Sequence, residues 1–174
     1  MAAQKGFTLV ELLVVISIIA ILSVIGITVF SGVQKSTRDA RRKADLHAIS
    51  LALEQYKVKN GTYPQTGGGS FNSDSGSDPW ITGLDSSYMT IVPRDPKNTG
   101  GGPYAGGYTY NYTSGDHYGA TGGSYFILVA HLENPNSADK KTQCTFPNST
   151  TSYGSTNSNA NNTFSDTYFV CNQL

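Results

Sequence analysis

The sequence LLVVISIIAILSVIGITVF, at residues 12–30, has no charged side chain and is almost wholly apolar. As an α-helix, these residues would span roughly 28 Å, close to the hydrocarbon thickness of a bilayer. A buried core helix is one alternative, but a small domain rarely encloses a helix that is apolar on every side. A secretory signal peptide is another, although its apolar region normally has about 7–15 residues. The pattern therefore predicts a helix that is inserted into the membrane and retained.

The residues just before this stretch are more specific. A short polar leader ends at Gly6, and Glu11 lies inside the apolar segment. A carboxylate there costs on the order of a few kcal/mol unless it is paired. The string KGFTLVELL, at residues 5–13, resembles the leader-peptidase site of type IV prepilins and type II secretion pseudopilins.

The resemblance implies how the N-terminus is used. A membrane peptidase would cut after Gly6 and methylate the new N-terminal residue, Phe7. Glu11 would then neutralise the α-amino group of Phe7 on an adjacent subunit, and two opposite charges in an apolar filament core would select one register. Assembled pilins often lose regular helical hydrogen bonding near a helix breaker, which makes Gly26 the candidate position for a local melt.

The helix is expected to continue past the membrane as an amphipathic stem. Leu46, Ile49, Leu53 and Tyr56 fall at helical spacing on one stripe, and a neighbouring stripe has the same periodicity. Its members are Ala40, Ala44, Ala48 and Leu51. Basic residues are expected on much of the remaining surface. The sequence at 60–64, NGTYP, predicts the end of the helix and resembles the helix end of many pilins.

Strand patterns follow the stem. Residues 108–112 alternate Tyr with polar residues, residues 125–132 are mainly apolar, and residues 167–171 form a third run. Residues 65–79 and 97–107 are loops by their Gly, Ser and Asn content. The fold class expected is α+β: a long N-terminal helix, half transmembrane and half amphipathic, packed on a small antiparallel sheet.

These patterns divide the chain into four parts. They are a leader at 1–6, a transmembrane or filament-core helix at 7–32, an amphipathic stem at 33–60 and a β head at 61–174. The head ends in an Asn-, Ser- and Thr-rich stretch with the chain's two cysteines, Cys144 and Cys171. A disulfide between them is expected outside the cytoplasm, as in many pilins, and the loop-entropy model gives it roughly 3.6 kcal/mol of stabilisation.

Catalytic and metal chemistry find little support. The three histidines, His47, His117 and His131, lack the spacing of a zinc site, and no nucleophile-elbow motif is present. The chain is therefore expected not to be an enzyme and to carry no cofactor. Some pseudopilins bind calcium beside their last strands, which makes Asp116 a candidate ligand, with a solvated turn as the alternative.

The expected function is that of a structural subunit of a type IV pilus. The precursor would lie in the inner membrane, meet the prepilin peptidase and the pilus assembly machinery, and then join a helical homo-oligomer outside the cell. The alternatives are a type II secretion pseudopilin in a periplasmic pseudopilus, an adhesin or DNA-uptake minor pilin, and a membrane-anchored surface enzyme. From residue 60 onward there are four basic and eight acidic side chains, which argues against nucleic acid as a partner.

Overall fold

The computed structural model describes seven stretches of the chain. They are residues 6–103, 106–114, 123–136, 138–139, 143–145, 152–154 and 166–172, without the side chains of 25–29, 143, 145 and 152–154. The chain divides into two units, Met1–Thr37 and Arg38–Leu174. The elements are helix α1 (Leu9–Asn60) and strands β1 (Phe71–Asn72), β2 (Tyr110–Ser114), β3 (Phe126–His131), β4 (Gln143–Thr145), β5 (Ser152–Gly154) and β6 (Thr167–Cys171). The α+β fold expected from the sequence is confirmed.

Helix α1 ends where the sequence predicts. The side-chain amide of Asn60 donates to the Tyr56 carbonyl at 2.9 Å, and the Gly61 amide donates to the Lys57 carbonyl at 2.7 Å. Gly61 has φ of 80°, a left-handed conformation that glycine adopts without steric cost. These contacts satisfy carbonyls that the last helical turn would otherwise leave free.

The main sheet is antiparallel, with strand order β1-β2-β3-β6. Strand β6 lies at the predicted residues, and β3 is one residue shorter at each end than predicted. Strand β2 begins two residues later than predicted, because Tyr108 forms an isolated bridge with Thr99 instead. The prediction of an entirely irregular 65–79 segment was wrong, since β1 pairs with β2 there.

One face of the sheet packs on the stem. Leu46, Ile49 and Leu53 are fully buried, as their spacing predicted. The opposing sheet residues belong to the same apolar cluster: Tyr110, Tyr112, Phe126, Leu128 and Ala130. The neighbouring stripe turns outward instead, since Ala40, Ala44 and Leu51 are exposed. Larger side chains bury more apolar area, so they decide which helix face turns inward.

The segment between β1 and β2 completes this core. Trp80 and Ile81 are buried in the same cluster, and the Trp80 indole donates to the Pro93 carbonyl at 2.9 Å. The Arg94 guanidinium donates to the carbonyls of three alternate residues, Ser73, Ser75 and Ser77. The guanidinium of Arg94 therefore holds together the backbone of the segment that follows β1.

A buried arginine joins the stem to the head. Arg42 has no exposed side-chain surface, although basic stem residues were expected at the surface. Its Nε and Nη2 donate to the two carboxylate oxygens of Asp95 at 2.7 and 3.0 Å. Its Nη1 donates to Asp39 at 2.7 Å and to Glu133 at 3.0 Å. Burial opposes the charged form, but these hydrogen bonds outweigh it and raise the pKa of Arg42.

The carboxylates around Arg42 are themselves held by several donors. Asp39 accepts the backbone N–H of Glu133 at 2.9 Å and of Asn134 at 2.7 Å. Glu133 accepts two hydrogen bonds from Arg38, at 2.6 and 2.7 Å. The sequence pattern missed this cluster because its members lie on three separate segments. An apolar helix face interrupted by one arginine was the only available signal.

The Arg38 hydrogen bonds lower the pKa of Glu133 from 4.5 to about 2, with Arg42 adding to the effect and burial opposing it. A carboxylate whose folded pKa is lowered stabilises the fold above its unfolded pKa. That stability, at most about 3 kcal/mol, is lost as the pH falls from about 4.5 to about 2. We expect denaturant unfolding of the detergent-solubilised chain, followed by fluorescence of the buried Trp80, to show this loss.

The matched variant is Glu133→Gln, which keeps the shape of the side chain and removes its titration. It should be less stable at pH 7 and should lose less stability than the parent chain over the same pH interval. Equal losses in both chains would contradict the role assigned to Glu133.

Candidate functional site

The first described residues precede the helix and are open to solvent. Gly6, Phe7 and Thr8 are not helical, and Phe7 is 85% exposed. A methyl group added at Gly6 would meet no atom within 4 Å. Packing inside this chain therefore does not require glycine at position 6, and the peptide bond after it is accessible to a partner.

Thr8 and Glu11 form a reciprocal cap at the start of α1. The Thr8 amide and hydroxyl donate to Glu11 Oε2 at 2.8 and 2.7 Å, and the Glu11 amide donates to Thr8 Oγ1 at 3.2 Å. This is a capping box, which satisfies amides that the first helical turn leaves free. This cap was not predicted from the sequence, although Thr-x-x-Glu before an apolar run is its signature.

The cap concerns the same carboxylate that is predicted to pair with the Phe7 amino group of an adjacent copy. In the uncut chain, the nitrogen of Phe7 is a peptide nitrogen and carries no charge. The Glu11 carboxylate is instead occupied by Thr8. The pairing of Glu11 with the amino group of Phe7 concerns a cut chain and a neighbouring copy, so it stays a prediction.

The apolar stretch presents its side chains outward all round. Most large apolar side chains described between Phe7 and Val33 are more than half exposed. The two serines within it are satisfied internally, since Ser17 donates to the Leu13 carbonyl and Ser23 to the Ile19 carbonyl, both at 2.7 Å. Such internal bonding lets a helix with hydroxyl groups lie in an apolar medium without unpaired donors.

Among the residues that the structure describes, no helical stretch has both the length and the hydropathy needed to span a bilayer. The predicted span, 7–32, includes residues 25–29, whose side chains lie outside the described set, and it stays a prediction. The backbone of α1 continues through Gly26. A melt at Gly26 was predicted for an assembled filament, and it also stays a prediction.

At the other end of the chain, a disulfide joins Cys144 of β4 to Cys171 of β6, with 6.0 Å between their Cα atoms. The calcium candidate Asp116 lies outside the described residues. Within the described stretches, no group of three or more His, Cys, Asp or Glu side chains is arranged to hold a metal ion. His131 packs edge-on against the Tyr108 ring and is not part of a ligand set.

The cap yields a direct test. Thr8→Val keeps the shape and β-branching of the side chain but removes both hydroxyl hydrogen bonds, whereas Thr8→Ser keeps them. We expect the amides of residues 9–11 to exchange with deuterium roughly fivefold faster in the valine variant, as the loss of an N-cap implies. Hydrogen exchange of the detergent-solubilised precursor, read by mass spectrometry, measures this. Equal protection in the valine and serine variants would show that the cap does not hold the first turn.

Comparison with known proteins adds two findings. Residues 1–27 match the family model described as the prokaryotic N-terminal methylation motif. The chain is also similar to proteins named type II secretion system core protein G. It is 32% identical to that of Aeromonas hydrophila over 104 residues, which are 58% of this chain and 71% of the relative. It is 31% identical to that of Klebsiella pneumoniae over 99 residues, which are 55% of this chain and 71% of the relative.

No solved structure matches the chain. The similarity to the secretion proteins nevertheless covers more than two thirds of their length. The fold agrees with it, since a long N-terminal helix packs its second half on an antiparallel sheet. The chain therefore belongs to the family of type IV pilins and type II secretion pseudopilins.

Proposed function

We propose that this chain is a type II secretion pseudopilin. It is made as an inner-membrane precursor, is cut after Gly6 and methylated at Phe7, and polymerises into a periplasmic pseudopilus. The main support for the proposal is the length of sequence over which the chain is similar to the secretion proteins. The methylation motif covers 27 residues, whereas the match to the Aeromonas hydrophila secretion protein covers 104. Most of the matched residues therefore lie beyond the motif that pilins and pseudopilins have in common.

The comparisons favour this function over the extracellular type IV pilus preferred from the sequence. The expected C-terminal disulfide, which many pilins have, pointed to the pilus. A disulfide fits the oxidising periplasm as well as the cell surface, so it does not separate the two locations. The relatives carry secretion names, and the periplasm replaces the cell surface as the proposed destination.

The accessible Gly6–Phe7 bond supports processing as the first step. An exposed, non-helical Gly6–Phe7 bond can enter the active site of a peptidase without unfolding of the helix. Since no atom of the described residues crowds Gly6, the need for a small residue is assigned to the peptidase. Cutting there creates the charged amino group that Glu11 needs as a partner. The Thr8 contact holds the carboxylate near the new terminus until then.

Assembly would follow from the exposed apolar helix. In water, burying a large apolar side chain is worth about 1.5–3 kcal/mol, so many such side chains on each copy provide a strong driving force for bundling. The apolar surface by itself has little directionality. A buried pair of Glu11 with the Phe7 amino group of the next copy would select one register, because leaving either charge unpaired costs several kcal/mol.

The head supports a structural role. Several basic side chains of the stem and the head are already used in ion pairs: Arg38 and Lys97 with Glu133, Arg42 with Asp95, and Lys43 with Asp139. Paired cations add little to the counterion release that drives DNA binding, which weighs against the DNA-uptake alternative. Catalysis and a bound cofactor form no part of the proposal.

Cell fractionation with mass measurement tests the proposal. We expect the chain to begin at a methylated Phe7 and to remain with the cell envelope when surface filaments are sheared off. Gly6→Val is the control, since a branched side chain before the cut should block processing and leave the leader attached. Recovery of most of the mature chain in sheared surface filaments would favour the type IV pilus instead. A parent chain that keeps its leader would contradict both functions.

A further inference from the structure

Helix α1 ends in an asparagine followed by a glycine, and Asn60-Gly61 is the only such pair in the sequence. Asn60 is exposed, and a methyl group added at Gly61 would meet no described atom within 4 Å. Asparagine is among the chemically labile residues, and most of all before glycine, because the unhindered glycine nitrogen can attack the side-chain carbonyl carbon. A reactive pair therefore lies where the helix ends.

Three hydrogen bonds hold both of the reacting groups. The side-chain amide of Asn60 donates to the Tyr56 carbonyl at 2.9 Å and to the Tyr88 hydroxyl at 2.7 Å. The Gly61 nitrogen, which is the attacking atom, donates to the Lys57 carbonyl at 2.7 Å. The nucleophile and the leaving amide are thus both engaged, so the attack requires a local opening of the helix end.

One of these bonds comes from the segment between β1 and β2. The Tyr88 amide donates to the Asp85 carbonyl at 3.0 Å, which fixes the backbone of this segment in a turn. The Tyr88 ring packs on that of Tyr56, with 5.1 Å between the ring centroids, and the Lys59 ammonium lies 5.3 Å from the Tyr88 centroid. These contacts bring the Tyr88 hydroxyl to Asn60, so the tertiary fold and the helix together hold the amide.

We propose that Asn60 is a modification site, which converts to aspartate or isoaspartate at a rate set by the opening of this helix end. While the end is closed, the three hydrogen bonds protect the amide. Each opening frees the Gly61 nitrogen to attack it. The inference concerns the end of α1 and its contact with Tyr88, and it does not depend on the proposed secretion function.

The reaction consumes one water and needs no other co-reactant. The Gly61 nitrogen forms a bond to Cγ of Asn60, and the side-chain nitrogen leaves as ammonia with the proton that Gly61 gives up. Water then opens the five-membered ring on either side, which gives aspartate or isoaspartate. Either product carries a carboxylate, which cannot donate to the Tyr56 carbonyl and is unfavourable at a helix C-terminus. The modified end therefore lacks the hydrogen bond that Asn60 made to Tyr56.

Two tyrosine variants test the proposal in the detergent-solubilised full-length chain, aged at mildly alkaline pH. Tyr88→Phe removes the hydroxyl that accepts from Asn60 and keeps the ring, whereas Tyr56→Phe, the matched control, removes a hydroxyl that faces Gly83. Mass spectrometry of the peptide with residues 60 and 61 times the conversion. We expect it to be roughly fivefold faster in Tyr88→Phe, as the loss of one hydrogen bond implies, and unchanged in Tyr56→Phe.

The parent chain in denaturant gives the rate without the closed helix end, and we expect that rate to be about tenfold higher or more. Fluorescence of the buried Trp80 reports in each sample whether the head is folded. Equal rates in the folded and unfolded parent would overturn the proposal, because the helix end would then give no protection. A folded Tyr88→Phe chain that converts no faster than the parent or the Tyr56→Phe control would also overturn it.

Discussion

An apolar helix surface that must be kept from water is the constraint on which this protein depends. Residues 12–30 carry no charge, and most large side chains described there are more than half exposed in the single chain. The hydrophobic effect makes such a surface untenable in water. In the proposed function, lipid covers it in the precursor and other copies cover it in the pseudopilus. The leader, the cap at Thr8 and the single carboxylate of Glu11 all lie at the start of this surface.

The head is joined to the second half of the same helix by the apolar cluster and by a buried ion-pair network. Arg42 keeps its charge in this buried place because its hydrogen bonds to three carboxylates outweigh the cost of removing it from water. Its contribution is geometric, since it joins the stem to Asp95 in one loop and Glu133 after β3. Losing one partner would leave a buried charge unpaired, so the arrangement favours a single placement of these segments.

Much of the fold could be predicted from hydrophobic periodicity and local sequence motifs. They correctly gave the α+β class, the end of α1 at Asn60, the buried stripe with Leu46 and the β6 boundaries. The failures have physical causes. The alanine stripe has the same period as the buried one, so the period alone did not decide which stripe faces the sheet. Strand β1 has two residues and exists through its pairing with β2, which no local pattern records.

Long-range pairing explains the other omissions. The carboxylates that neutralise Arg42 come from three segments, and a sequence pattern cannot show that they meet. The burial of both faces of β3 was not predicted, because a mainly apolar strand has the same sequence pattern whether one face or both are covered. The capping box is visible in the sequence as Thr8 and Glu11, and its local contact is compatible with the assembly role expected of Glu11 only until the chain is cut.

Cross-linking between copies tests most directly the claim that the apolar helix becomes an interface after processing. Ile16→Cys places a thiol on the exposed helix, and the native cysteines are already joined. In cell envelopes treated with a bis-maleimide, the account predicts a ladder of cross-linked multimers. It predicts no ladder when Gly6→Val retains the leader. A ladder of equal strength in both chains, or none in the processed chain, would contradict assembly through this helix.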